Sequence, residues 1–243
     1  MSGKKPKQRS FTPLFGAALL VFVSCATAPM TRAASDVPKE HGKMETSAKD
    51  ERPIVRNQVV ESARSLLGQK PDAKVMVRGR PFILDCIGTV SAAWWGAGFD
   101  IQQDFPKFSG NGVNRLYKSL NNWGSLHELK DPKPGDIIFW ENTYDRNEDG
   151  KLGNDGLTHA GLVMEVDSDG TVHYLHESVS RGVVISYFNL LHPNQPKSPN
   201  GKIWNSPMFL GSNYDKKTNP PHWLSGDLWA GFGDAEKTAN AIK

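Results

Sequence analysis

The stretch PFILDCIGTVSAAWW, residues 81–95, joins a short apolar run to a helix-like segment, with an acid and a cysteine at the junction. Beyond it Val90, Ala93, Trp94 and Ala97 recur at three- and four-residue spacings, which predicts a helix over 86–98. Cys86 therefore opens a helix. The one other cysteine, Cys25, falls in an N-terminal targeting segment. A thiol without a partner in its own chain is a candidate for reactivity or intermolecular pairing. The competing reading is a buried small hydrophobe.

The targeting segment has a basic start, Lys4, Lys5, Lys7 and Arg9, and a short apolar run, PLFGAALLVFVS at 13–24. FVSC at 22–25 resembles a bacterial lipobox, which implies lipidation of Cys25, although Phe22 replaces the usual Leu. The alternative is ordinary cleavage after Ala28, at the A-x-A site formed by Ala26 and Ala28. Either reading exports the protein, as a membrane-anchored lipoprotein facing the periplasm or cell wall or as a secreted protein. Loss of residues 1–24 removes four positive charges and no acids, taking the formal net charge from +3 to −1. The basic balance belongs to the signal, so charge makes no case for nucleic-acid binding.

Residues 25–52, poor in apolar side chains, read as a flexible tether. Val55, Val59, Ala63, Leu66 and Leu67 then predict a helix over 54–67, ended by Gly68. KVMVRGRPFIL (74–84) reads as extended, interrupted by Gly79 and Pro81. GVNRLYKSLNNWG (112–124) reads as an amphipathic helix. Past DPKPG the period shortens to strands: IIFWE (137–141), HAGLVMEV (159–166), TVHYLHES (171–178) and GVVISYF (182–188). SDG at 168–170 is the turn between two of them. Helices first and strands later predict an α+β domain with N-terminal helices packed on a small antiparallel sheet. The domain is expected over 53–190, and the aromatic-rich 191–243 as a C-terminal extension packed on it.

A thiol at a helix start has N–H groups and a dipole that favour its thiolate. To act as a nucleophile it needs an imidazole as base and a group to orient that imidazole. Of seven histidines, His159, His173 and His176 fall in predicted strands. Alternation sets His173 and Glu177 on one face of 171–178 and His176 on the other. Pairing through the SDG turn makes His176 a neighbour of His159.

These segments resemble a known family. DCIGTV is similar to the D-C-S-G-F-V motif of NlpC-type cell-wall peptidases, KPGDIIFW to their P-G-D-L-v-F-F, and THAGLVMEV with YLHES to their H-V-G-I-Y and I-H-A segments. HAGLVMEVDSDGTVHYLHE looks equally like the CHAP amidases. Both are papain-like cysteine hydrolases, and the resemblance covers about 54–188. It implies that Cys86 is the nucleophile, His159 the base and His176 the orienting group, with Glu177 as the fallback for the third role. Asp85 matches the motif acid, implied to bind substrate; its alternative is a helix N-cap. Ile87 and Thr89 depart from the usual Ser or Thr and Phe, which implies a reshaped substrate pocket. The implied activity is cleavage of peptidoglycan amide bonds, as a stem-peptide endopeptidase or a muramoyl-alanine amidase, with no cofactor required. The rivals are a non-catalytic cell-wall-binding lipoprotein of the same fold and a thiol acyltransferase.

DRNEDG (145–150) fits the first half of a calcium loop, with Asp145, Asn147 and Asp149 as oxygen donors and Gly150 at the sharp turn. The twelfth position is Gly156 where a bidentate Glu is needed, with Asp155 as a substitute. The rival for this 145–156 loop is a polar turn whose side chains serve the backbone.

Overall fold

The computed structural model describes residues 52–151, 153–208 and 223–242. The expected signal at 1–24, Cys25 and the expected tether up to Glu51 lie outside the described residues. Among the described residues four α-helices, a two-stranded sheet and a six-stranded antiparallel sheet form an α+β architecture. Among the described residues no helix is long and apolar enough to cross a membrane.

The first helix, α1, spans Arg52–Arg64 and stops short of the expected end. The chain tightens there, because Leu66 and Leu67 donate to the carbonyls three residues back. Gly68, at φ +79°, then donates to Val183 O at 2.9 Å, so tertiary pairing replaces the last helical turn. The extended stretch that follows is a hairpin, β1 (Lys74–Val77) and β2 (Arg80–Ile83). Arg78 and Gly79, both at positive φ, form its two-residue turn. The glycine expected to interrupt one strand therefore joins two.

The helix α2 spans Cys86–Gly96, and Asp85 Oδ1 caps it by accepting from Gly88 N at 2.6 Å. Gly88 has a steric reason as well: a Cβ there would overlap the Ile83 carbonyl oxygen. Thr89 to Trp94 are all buried, so α2 is the central helix of the domain. The helix α3, Gly112–Asn122, is capped by Asn111, whose amide also donates to Leu157 O.

The large sheet contains β3 (Leu126–His127), β4 (Ile137–Glu141), β5 (Leu157–Val166), β6 (Thr171–Ser178), β7 (Gly182–Asn189) and β8 (Trp229–Gly233). Their order is β3-β8-β4-β5-β6-β7. The C-terminal segment thus does more than pack on the domain: β8 is an interior strand, hydrogen-bonded to β4 and β3. Alternation along β4 sends Ile137 and Phe139 into the helix-covered core and Ile138 and Trp140 to the opposite face. Leu190, Met208 and Leu228 cover that second face, and Trp140 Nε1 donates to Ser225 O at 2.7 Å. A short helix, α4 (Ala235–Ala241), follows β8.

One buried ion pair ties the two ends of the domain together. Arg56 of α1 meets Asp136, just before β4, at 2.7 Å, and also reaches Asp234 at 3.3 Å and Glu236 at 2.9 Å. Asp136 is 1% exposed, and its oxygens also accept from the N–H groups of Lys133 and Ala235. Gly135 beside it needs φ +89°, and a Cβ there would come within 3.2 Å of Arg56 Cα. The P-G-D motif is therefore a structural clamp. Removing one partner of a buried pair leaves the other charge uncompensated. Asp136→Ala is expected to lower unfolding free energy by about 3 kcal/mol in urea titrations. A loss below about 1 kcal/mol would show that Asp234 and Glu236 suffice for Arg56.

Candidate active site

Cys86 is half-buried at the first position of α2, and its Sγ lies against the backbone N–H groups of Ile87 and Ala160. Those contacts favour a thiolate, but burial and the carboxylates of Asp85 and Glu177 outweigh them and push the thiol up to about 12. The resting sulfur is therefore protonated. This corrects the sequence expectation that a helix start would lower the thiol: desolvation is the larger effect at this site.

His159 stands on β5 opposite Trp140, with ring centroids 5.7 Å apart. Burial lowers it to about 4, so it is neutral at ordinary pH. Its Nε2 lies 2.9 Å from His176 Nδ1. Leu162 pairs with Leu175, and counting outward from that pair places His159 diagonally across from His176 on the same face. Among the described residues no hydrogen bond joins Cys86 Sγ to the His159 ring. The sulfur instead sits at the amide of the residue next to it, Ala160. A nucleophile and its base often come within hydrogen-bond reach only once substrate is bound.

A cavity of about 350 Å³ has Cys86, His159, His176, Tyr144, Glu177 and Arg181 in its wall. Asp72 and Asp85 extend an acidic side of the same cavity. Asp85 thus both caps α2 and borders the pocket. Glu177 points to the other face from His176, as alternation requires, so it does not reach the His159 ring. It is 6% exposed. Burial first, then Asp72 and Asp85, raise its carboxyl to about 7. Ile87 and Thr89, expected to reshape the pocket, are instead buried among the helices, and neither borders the cavity.

The 145–150 oxygens are engaged with their own loop. Asp145 accepts from Asp149 N and Gly150 N, Asn147 from Asp149 N, and Asp149 from Lys151 N. Asp155, 2% exposed, accepts with Oδ1 from the N–H groups of Arg146 and Asn147. Among the described residues no group of three or more His, Cys, Asp or Glu is arranged to hold a metal ion. The loop has the bonding of a polar turn, and through Tyr144 it borders the cavity.

Two side chains of the site escaped the sequence reading. His176 Nε2 lies 3.0 Å from Ser186 Oγ, and Arg181 Nη2 reaches the same oxygen at 3.3 Å. Ser186 did carry a signal: it is the polar residue between Val184 and Phe188 on one face of an apolar strand. Arg181, in the turn before β7, carried none. Comparison of the chain with family models, with curated proteins and with solved structures finds no match in any of the three.

The buried imidazoles make stability depend on pH. Both histidines are held below the ordinary value of 6.5, His159 by burial and His176 by burial, His159 and Arg181. Below that pH the unfolded chain takes up protons that the native imidazoles refuse, so stability falls with acidification. From pH 6.5 towards 4 the thermal midpoint is expected to change with a more destabilising slope in the wild type than in His159→Gln, a difference in which the opposite contribution of the raised Glu177 carboxyl cancels. Parallel slopes for the two proteins would remove His159 from this account.

Proposed function

We propose that the protein is an exported cysteine hydrolase of papain-like fold that cleaves amide bonds in peptidoglycan. One observation carries this reading: Cys86 from a helix start and His159 and His176 from neighbouring strands border one cavity, with a 2.9 Å bond between the two rings. The motif resemblance supplies the substrate class.

In the proposed reaction, His159 Nδ1 takes the Sγ proton as sulfur attacks the amide carbonyl. Thiol and imidazole are both neutral at rest, so proton transfer concerted with attack avoids a standing ion pair in a desolvated site. The charges that develop on the two groups attract each other, offsetting part of the cost of burial. The tetrahedral intermediate collapses as the imidazolium returns its proton to the leaving amine, forming a thioacyl-enzyme. Water, deprotonated by His159, then releases the acid and restores the thiol. His176 Nδ1 accepts from His159 Nε2–H throughout and holds the ring in the tautomer that leaves Nδ1 bare. A stem-peptide endopeptidase is the favoured bond specificity and the muramoyl–alanine amide the alternative. Acylation of Cys25 would tether the enzyme to a membrane beside its substrate.

The protonated, half-buried thiol favours a second reading, a wall-binding lipoprotein without turnover. Digestion of purified peptidoglycan by the soluble 29–243 chain, read by mass spectrometry, separates the two. New muropeptides are expected from the wild type, with a loss of at least a thousandfold in Cys86→Ser and His159→Ala. Their masses identify the bond, and transfer of the acyl group to an added amine would identify an acyltransferase. Uncut wall that nevertheless binds the folded protein would establish the second reading.

A further inference from the structure

The hydrogen bonds that begin at the His159 ring continue past His176 to Ser186 and Arg181. Ser186 is 2% exposed and His176 5%, so bulk water has little access to the bond between them. A neutral imidazole has one N–H and one lone pair, so each ring passes the direction of bonding to the next. For His159 Nδ1 to receive a proton from Cys86, its Nε2 must carry the hydrogen and donate to His176 Nδ1. His176 then carries its hydrogen on Nε2, where Ser186 Oγ is the acceptor. The reverse direction, with the Ser186 hydroxyl donating to His176 Nε2, would place a hydrogen on His159 Nδ1. The base would then be lost.

Two features favour the useful direction. The buried Tyr174 hydroxyl lies beside the hydroxyls of Ser186 and Ser225 and offers the Ser186 hydrogen another place to turn. Arg181 donates to Ser186 Oγ and sets a positive charge beyond it. A protonated His176 would donate from both nitrogens and reverse the bond to His159. Burial opposes that charge first, and His159 and Arg181 oppose it further. The other ionisable groups around the cavity are Cys86 and Asp85 at α2, Glu177 on β6, and Asp72 and Tyr144 on loops.

We propose that Ser186 and Arg181 are positioning residues, Ser186 Oγ accepting from His176 Nε2–H and Arg181 holding that oxygen. Their purpose rests on the hydrolase reading, but the direction of the bonds can be measured without it. The sample is the 29–243 chain, which contains every described element, labelled with ¹⁵N. Long-range proton–nitrogen spectra report which ring nitrogen of each histidine carries hydrogen, and alkylation of Cys86 by iodoacetamide reports the base without any wall substrate.

In the wild type, His176 is expected to be protonated on Nε2 and bare on Nδ1 from pH 8 down to 5. Ser186→Ala should shift His176 towards the other tautomer and slow alkylation about tenfold, the worth of one buried hydrogen bond. Ser186→Thr should restore both readings. Arg181→Ala, at an exposed position, should let His176 take up a proton at higher pH and slow alkylation on the acid side, with Arg181→Lys restoring it. A wild-type His176 protonated on Nδ1 overturns the proposal. So do Ser186→Ala and Arg181→Ala proteins that are folded and match the wild type in both readings. If the relay behaves as expected but peptidoglycan is never cut, the hydrolase reading falls and the relay stands.

Discussion

In an antiparallel pair a slip of one residue turns every side chain to the opposite face, so the pairing of Leu162 with Leu175 decides which residue meets His159. With this register the neighbour is His176; one residue away it would be Glu177. The choice is enforced by the core, because Leu162 and Leu175 are fully buried against the helices while Val163 and Tyr174 fill the other face. Shifting β6 by one position would exchange its two faces, setting His173 and Glu177 where Val172, Tyr174 and His176 now lie. The geometry of the rings is therefore underwritten by apolar burial on both sides of the sheet.

That burial also sets the electrostatics. Packing around α2 desolvates Cys86, and packing on the other face of the sheet, Trp140 included, desolvates His159, so the thiol rises and the imidazole falls. The two are apart at rest in the sense that neither carries charge. In the proposed reaction this costs reactivity in the free protein and confines proton transfer to the moment when a carbonyl is in reach. The acidic side of the cavity, formed by Asp72, Asp85 and Glu177, adds to the same effect on the sulfur. Arg181 sets a positive charge on the side of His176, which adds to burial in holding that imidazole neutral.

Much of the site could be read from local pattern. Apolar spacing located α2 and Cys86 at its start, and alternation separated His176 from Glu177. Other assignments failed for reasons beyond the local chain. The last turn of α1 gives way to a bond between Gly68 and Val183, more than a hundred residues away. Ile87 and Thr89 look like pocket residues only while the packing of α2 against α3 and the sheet is unknown. The P-G-D motif marks only the start of the strands in the sequence, and its Asp136 becomes a clamp only when α1 brings Arg56 to it.

By itself the sequence determined the helix and strand periods, the faces on which side chains lie, and the order of Cys86 and the strand histidines along the chain. These are local or additive properties, set by spacing of 3.6 or 2 residues and by composition. Tertiary structure decided what long-range pairing controls. It placed β8 inside the sheet, covered its second face with the C-terminal segment, and joined Ser186 and Arg181 to the histidine pair. It also reversed the expected tuning of Cys86, because the helix-start N–H groups are a local feature, whereas desolvation is the sum of everything packed around the sulfur.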